Sequence, residues 1–308
     1  MQTAYSWGFL GHRTINRQAV YALPPDMFGF YKKHMEWLST HSVDADNRRY
    51  LVADEGCRHF LDCDRYEKAA PLDTIPHNWF KAVEQYTEDS LKAHGIVPWH
   101  CISMLYWLKK AFEEKNLQKI LRHSADIGHY IADAHVPLHT THNYNGQFTG
   151  QEGIHALWES RIPQLFSDSF DLLTGTASYL TDPQSAIWDA TGESFGYVDS
   201  VLRLEKETEK RHAADKYSFE TRGTVTARVY SAAFCTDYHQ SMQHMVEKRM
   251  RSAIRMVASF WLTAWVMAGQ PDLNSITETT QTADPMDEKA EKARQTQPIK
   301  GREEHGNE

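Results

Sequence analysis

Two pairs of residues with one shared spacing dominate the chemistry this chain could do. His129 and Asp133 stand four apart in HYIADAHVPLH (129–139), and His155 and Glu159 repeat that spacing in GIHALWESRIP (153–163). Residues four apart share a helix face, so each pair sets an imidazole beside a carboxylate, as zinc motifs of the HExxH kind do. Pro137 ends the first helix and lets His139 turn back toward the same point. Imidazole and carboxylate without thiolate suit a catalytic zinc ion with open positions rather than a closed structural one. A lone His-x-x-x-Asp is more often a hydrogen-bonded pair within one helix. Two such pairs, with a third histidine between them and a polar loop separating them, favour metal ligation.

These pairs need helices, and the chain supplies them. Ile102, Leu105, Leu108 and Phe112 form one apolar stripe in steps of three and four; Leu117, Ile120, Leu121, Ser124, Gly128 and Ile131 form a second of small and apolar residues, with Asn116 as the break. Residues 143–153 (NYNGQFTGQEG) read as a polar loop, followed by a short helix from His155 that Pro163 should stop. From Val225 to Ala268 the pattern reads as two helices broken near Tyr238, and no stretch of period two of any length stands out. The longest apolar run, Met256 to Gly269, is short of the ~18 residues of a membrane span and continues a helical spacing, so it is expected in the core. The expected class is all-α, with one domain over 7–271.

With 308 residues, 41% hydrophobic and 24% charged, the chain excludes collagenous, coiled-coil and wholly disordered classes. Its 33 basic and 41 acidic residues leave a net −8, which alone argues against a partner held mainly through phosphates. Half of that excess lies in 272–308, a stretch with nine acidic and five basic residues and little apolar surface, expected to be a disordered tail. Cys57, Cys63, Cys101 and Cys235 form no Cys-x-x-Cys pair, and allow either two disulfides in an exported protein or four thiols. Ala4-Tyr5-Ser6 places small residues where a signal peptidase cuts, so 1–6 reads as the remnant of a processed segment.

Five motifs, WGFLGH (7–12), DADNRR (44–49), RHF (58–60), HYIADAHVPLH and GIHALWESRIP, resemble in order and spacing the trinuclear-zinc superfamily of bacterial phospholipase C and the fungal and plant single-strand-specific nucleases of the S-one/P-one type. The resemblance implies an all-α fold with three zinc ions in a cleft. It implies that Asp46, His59 and His129 hold one zinc of a close pair, that His139, His155 and Glu159 hold the other, and that Asp133 bridges to a third ion. His12 and the amino nitrogen and carbonyl oxygen of Trp7 would complete that third site, which requires Trp7 to be N-terminal and the protein to be secreted or periplasmic. Asp44, two residues from Asp46, could take the latter's place, and either could orient the attacking water. The implied reaction is attack of a zinc-activated water on phosphorus, with the positive charge that meets the phosphate supplied by metal. His100, His123, His135 and His142 match no ligand of the family, and His212, His239 and His244 are expected to be solvated or satisfied in the core.

The spacing of Trp7 and His12, with Trp158 and Pro163 around the carboxylate, points to single-stranded nucleic acid as substrate; Glu159, where nucleases commonly carry Asp, points to phospholipid. Tyr144 and Phe148 could stack on a base. No protein partner is implied. A non-catalytic helical metal-binding protein would use the same ligands. An HD-type phosphohydrolase needs an adjacent His-Asp, and none of the 17 histidines precedes an aspartate.

Overall fold

The computed structural model describes residues 8–66, 72–222, 225–276 and 285–297. Helices α1 (Gly8–Ala19), α2 (Pro25–Lys33), α3 (Met35–His41) and α4 (Asp44–Arg48) open the chain. After a short-turned region follow α5 (Trp79–Tyr86), α6 (Glu88–His94), α7 (Val97–Glu113) and α8 (Leu117–Ala134). Beyond the polar loop come α9 (Ile154–Ala156), a wide-turned segment Leu157–Arg161, α10 (Ile162–Phe166), α11 (Pro183–Gly196) and α12 (Val198–Arg211). Strands β1 (Tyr217–Arg222) and β2 (Val225–Tyr230) precede α13 (Ala232–Ser241), α14 (Met245–Met267) and α15 (Pro285–Thr296). The protein is all-α, with one antiparallel strand pair as its only sheet among the described residues.

Helices α7 and α8 are the consecutive pair expected from their stripes. Asn116 caps α8, its side chain accepting from the Lys119 amide at 3.0 Å and satisfying a donor that the helix cannot. The small residues of the α8 stripe let other helices approach. Ser124 Oγ meets Tyr31 of α2 at 2.9 Å, and its carbonyl accepts from Trp261 Nε1 of α14 at 3.0 Å. The Tyr31 and Trp261 rings stack with centroids 4.7 Å apart. At Gly128, α1 crosses so closely that a Cβ would lie 2.8 Å from Asn16 Cγ. Gly128→Ala is therefore expected to cost about 1–3 kcal/mol through overpacking; thermal unfolding checks this, and an unchanged midpoint would contradict the contact. Helix α14 buries Val246, Met250, Ile254, Val257 and Trp261 in the core, and among the described residues no helix is long and apolar enough to cross a membrane.

Four expectations need correction. Residues 225–230 are a strand, not the start of a helix: alternation of Tyr217, Phe219 and Thr221 on one face opposite Ser218 and Glu220 pairs with β2, and β-branched and aromatic residues favour that pleat. The break in the last helical region, expected near Tyr238, falls a turn later at 242–244, where Gln243 and His244 take positive φ. Pro163 does not stop its helix. It occupies the first turn of α10 just after the wide-turned segment, where a missing N–H costs little.

The fourth concerns the expected disordered tail of 272–308. Within it α15 packs on α4, with Ala290 and Asp287 buried. Composition misses this docking because it is ionic: Asp287 Oδ1 receives Arg48 Nη1 at 3.1 Å, Asp287 Oδ2 lies 3.5 Å from Arg122 Nη2, and the Arg294 guanidinium sits 5.0 Å over the Phe9 ring. Residues 277–284 and 298–308 lie outside the described residues, as do 1–7. None of the four cysteines is in a disulfide; Cys63, Cys101 and Cys235 are buried, and burial pushes the Cys57 thiol up to about 11.

Candidate metal centre

Helix α8 delivers His129 and Asp133 to the middle of the molecule, both without any exposure. Asp133 is the hub. Its Oδ1 lies 3.4 Å from His12 Nε2 and 3.9 Å from His139 Nε2; its Oδ2 lies 2.9 Å from His59 Nδ1 and 3.3 Å from His129 Nε2. His12 comes from α1 and stacks on His129 with ring centroids 3.8 Å apart. Asp46 on α4 adds its Oδ1 at 3.8 Å from His129 Nε2 and 3.9 Å from His59 Nδ1. On the far side, Glu159 Oε2 is 3.1 Å from His155 Nε2 and 3.5 Å from His139 Nε2.

Three sets of ligand atoms fall within metal-binding reach of one another: His12, Asp46 and His129; His59, His129 and Asp133; and His139, His155 and Glu159. Eight of the nine residues singled out in the sequence thus converge on one centre. The ninth, Trp7, lies outside the described residues. Of the two alternatives, Asp46 lies beside His129 and His59, while Asp44 Oδ2 pairs with His41 Nδ1 at 2.6 Å.

Each element reaches the centre through a local device. Pro137 starts the short 3-10 turn Pro137–His139 after α8, and this turn brings His139 back toward Asp133. Gly153 takes a left-handed conformation with φ of 98° at the start of α9, which a residue with a side chain would resist, and so aims His155 inward.

The donor set fits zinc. His129 Nδ1 meets the Ser42 carbonyl at 2.8 Å, His139 Nδ1 the His59 carbonyl at 2.6 Å, and His155 Nδ1 the Tyr144 carbonyl at 3.0 Å. Those contacts place a proton on Nδ1 and leave the Nε2 lone pair facing the centre, as metal-binding histidines require. Asp133 Oδ1, His139 Nε2 and both Glu159 oxygens are buried yet have no hydrogen-bond partner of good geometry. Such atoms are costly unless something occupies the space between them.

Charge gives the same answer. Burial would raise the Asp133 carboxyl, but the imidazoles of His139 and His129 outweigh it and hold the group well below the usual carboxylate range. Burial likewise lowers the His129 imidazole, yet Asp133 and Asp46 push it up to about 9. Three buried carboxylates thus attract cationic charge to a site with few cationic side chains; Arg49 Nη1 stands 3.9 Å from Asp46.

Three histidines without a ligand role have other surroundings. His135 Nδ1 contacts the Ile131 carbonyl at 2.8 Å, His142 stacks on Phe148, and burial lowers His100 to about 3. A further buried group beside the centre escaped the sequence reading: Glu55, Arg48, Tyr130 and Asp126. Its one sequence signal was Glu55 standing four before His59, the same spacing with the order reversed.

No sequence-family profile matches the chain, and no curated protein does. Solved structures with a similar course include an alpha-toxin of Clostridium perfringens from an avian strain, 12% identical over 85% of this chain with a TM-score of 0.48, and the alpha toxin of Clostridium absonum, 16% identical over 87% with a TM-score of 0.42. The chain spans 65% of the length of each.

Proposed function

We propose that the protein is a zinc-dependent phosphodiester hydrolase holding three zinc ions, and that its substrate is single-stranded nucleic acid. The observation that carries the reading is the Asp133 hub, one buried carboxylate within 4 Å of four imidazoles from four different parts of the chain. His12, Asp46, His59, His129 and Asp133 would hold two of the ions, and His139, His155 and Glu159 the other; Trp7 would complete the set. Bound there, zinc would activate water at neutral pH and neutralise charge on the phosphate.

The chain's own part is positional. Backbone carbonyls fix the imidazole rings, so that little is left to reorganise when substrate arrives. Asp46, beside His129 and His59, would orient a water and accept its proton. His155 is the most exposed of the eight, with 18% of its side chain accessible, and marks the side from which a phosphate can enter. The loop carbonyl of Tyr144 that holds His155 belongs to the same loop as Phe148, which is 59% exposed and offers a ring face to an unpaired base.

Chelation is expected to abolish phosphodiesterase activity and added zinc to restore it; full activity in metal-free protein would sink the reading. Assayed side by side, single-stranded DNA or RNA should be cut faster than phosphatidylcholine. Release of the lipid headgroup alone would replace the nuclease by a phospholipase C, the substrate that Glu159 favours.

A further inference from the structure

His59 enters the centre differently from the other ligands. His129, His139 and His155 turn Nε2 inward and anchor Nδ1 on backbone carbonyls, whereas His59 turns Nδ1 inward, 2.9 Å from Asp133 Oδ2 and 3.1 Å from His129 Nε2. Its Nε2 therefore faces away, buried and without a hydrogen-bond partner. Glu55 Oε1 faces that nitrogen at 3.8 Å.

Glu55 has no exposure, and its place is set by other groups. The Tyr130 hydroxyl donates to Oε1, Arg58 Nη1 donates to Oε2 at 2.6 Å, and Arg48 Nε lies 3.7 Å from Oε1. Arg48 is in turn held by Asp126 at 2.8 Å and by Asp287 of α15. The carboxylate is thus a fixed, buried negative charge aimed at the outer nitrogen of an imidazole.

We propose that Glu55 is a positioning residue for His59. It attracts the proton of His59 to Nε2, so that the Nδ1 lone pair is presented to the centre. The proposal rests on the metal centre described above. An outer carboxylate of this kind commonly contributes ~10–100-fold in metal affinity, because it fixes both the tautomer and the ring orientation of its histidine.

The test is zinc binding rather than turnover. Glu55→Gln keeps the shape but removes the charge and one of the two acceptor oxygens: the remaining one can accept from Arg58, while the amide N–H can donate to the Tyr130 hydroxyl. In competition with a chelator, it is expected to weaken one of the zinc ions by ~10–100-fold and leave the others unchanged. Asp126→Asn serves as control: it removes another buried anion from Arg48, one with no contact to His59, and should lower thermal stability without moving that constant. Equal zinc constants in Glu55→Gln and wild type overturn the proposal, as does an equal loss in both variants.

If Glu55→Gln does not fold, the zinc-loaded wild type decides by nitrogen-15 NMR. A His59 Nε2 proton that is retained and shifted downfield supports the role; one exchanging as fast as that of an exposed imidazole overturns it. A protein that holds its zinc but cleaves no phosphodiester refutes the proposed function and not this assignment, whereas one that takes up no zinc refutes both.

Discussion

Asp133→Asn is expected to lower phosphodiesterase activity by more than the ~100-fold that loss of an outer-shell partner can cost, and to lower the zinc content with it. The side chain touches four imidazoles, at 3.4, 3.9, 2.9 and 3.3 Å, and through His139 it links the set of His139, His155 and Glu159 to the other two. Asn preserves the volume and one acceptor oxygen, so packing around α8 should survive. It removes the negative charge that allows two cations to sit close together in a buried site. Its amide would also turn an N–H donor toward imidazole nitrogens that the proposal assigns to metal, in place of an acceptor that they can share. Metal analysis and activity on the purified variant, with circular dichroism to show that the helices remain, check the result. Full zinc content together with wild-type activity would remove Asp133 from the centre and with it the proposed reaction.

Arg48→Leu is expected to be strongly destabilising although Arg48 is none of the candidate ligands. The guanidinium is buried, and Asp126, Asp287, Glu55 and the Tyr130 hydroxyl converge on it. Burial disfavours the Arg48 cation, but Asp126 and the other partners outweigh it and raise its pKa well above the ordinary value. Leucine would fill part of the space and leave buried carboxylates uncompensated. Breaking one partner of such a group typically costs about 3–5 kcal/mol, which for a chain of this size lowers the melting temperature by on the order of 10 °C. Asp287→Asn removes only the tie to α15, so it should cost less and loosen that helix first, read as faster hydrogen exchange at 285–296. A melting temperature within ~2 °C of wild type for Arg48→Leu would show the network to be dispensable.

The coupling of stability and site through Arg48 was hidden in the sequence. Arg48 and Arg49 stand side by side in DADNRR, and nothing local distinguishes the buried hub from the half-exposed neighbour at the rim. The tail was misread for a related reason. Low apolar content predicts that a segment cannot fold alone, but it is silent about a buried carboxylate that two arginines of the body pair with. The hairpin was missed because its outward face mixes Phe219 with Arg228 and Thr226, so alternation of side chains does not appear as alternation of polarity. Arg161, two residues after Glu159, holds the hairpin by donating to the Tyr230 carbonyl at 3.1 Å and to Glu220.

What the sequence determined by itself is local. Apolar stripes at steps of three and four made the helices, and the four-residue spacing of His129 with Asp133 and of His155 with Glu159 placed each pair on one face before any packing was known. The geometry of a single helix guarantees that much. Tertiary structure alone decided the rest. Asp44 and Asp46 sit two residues apart, roughly 200° around a helix, and only the docking of α4 against α8 selects the face that carries Asp46 inward. His59 meets Asp133 across more than seventy residues of chain, Tyr130 reaches Glu55 across a similar distance, and Asp287 of α15 meets Arg48 from the far end of the sequence. Contacts between distant segments depend on the free energy of whole packed helices, which no short window of sequence contains.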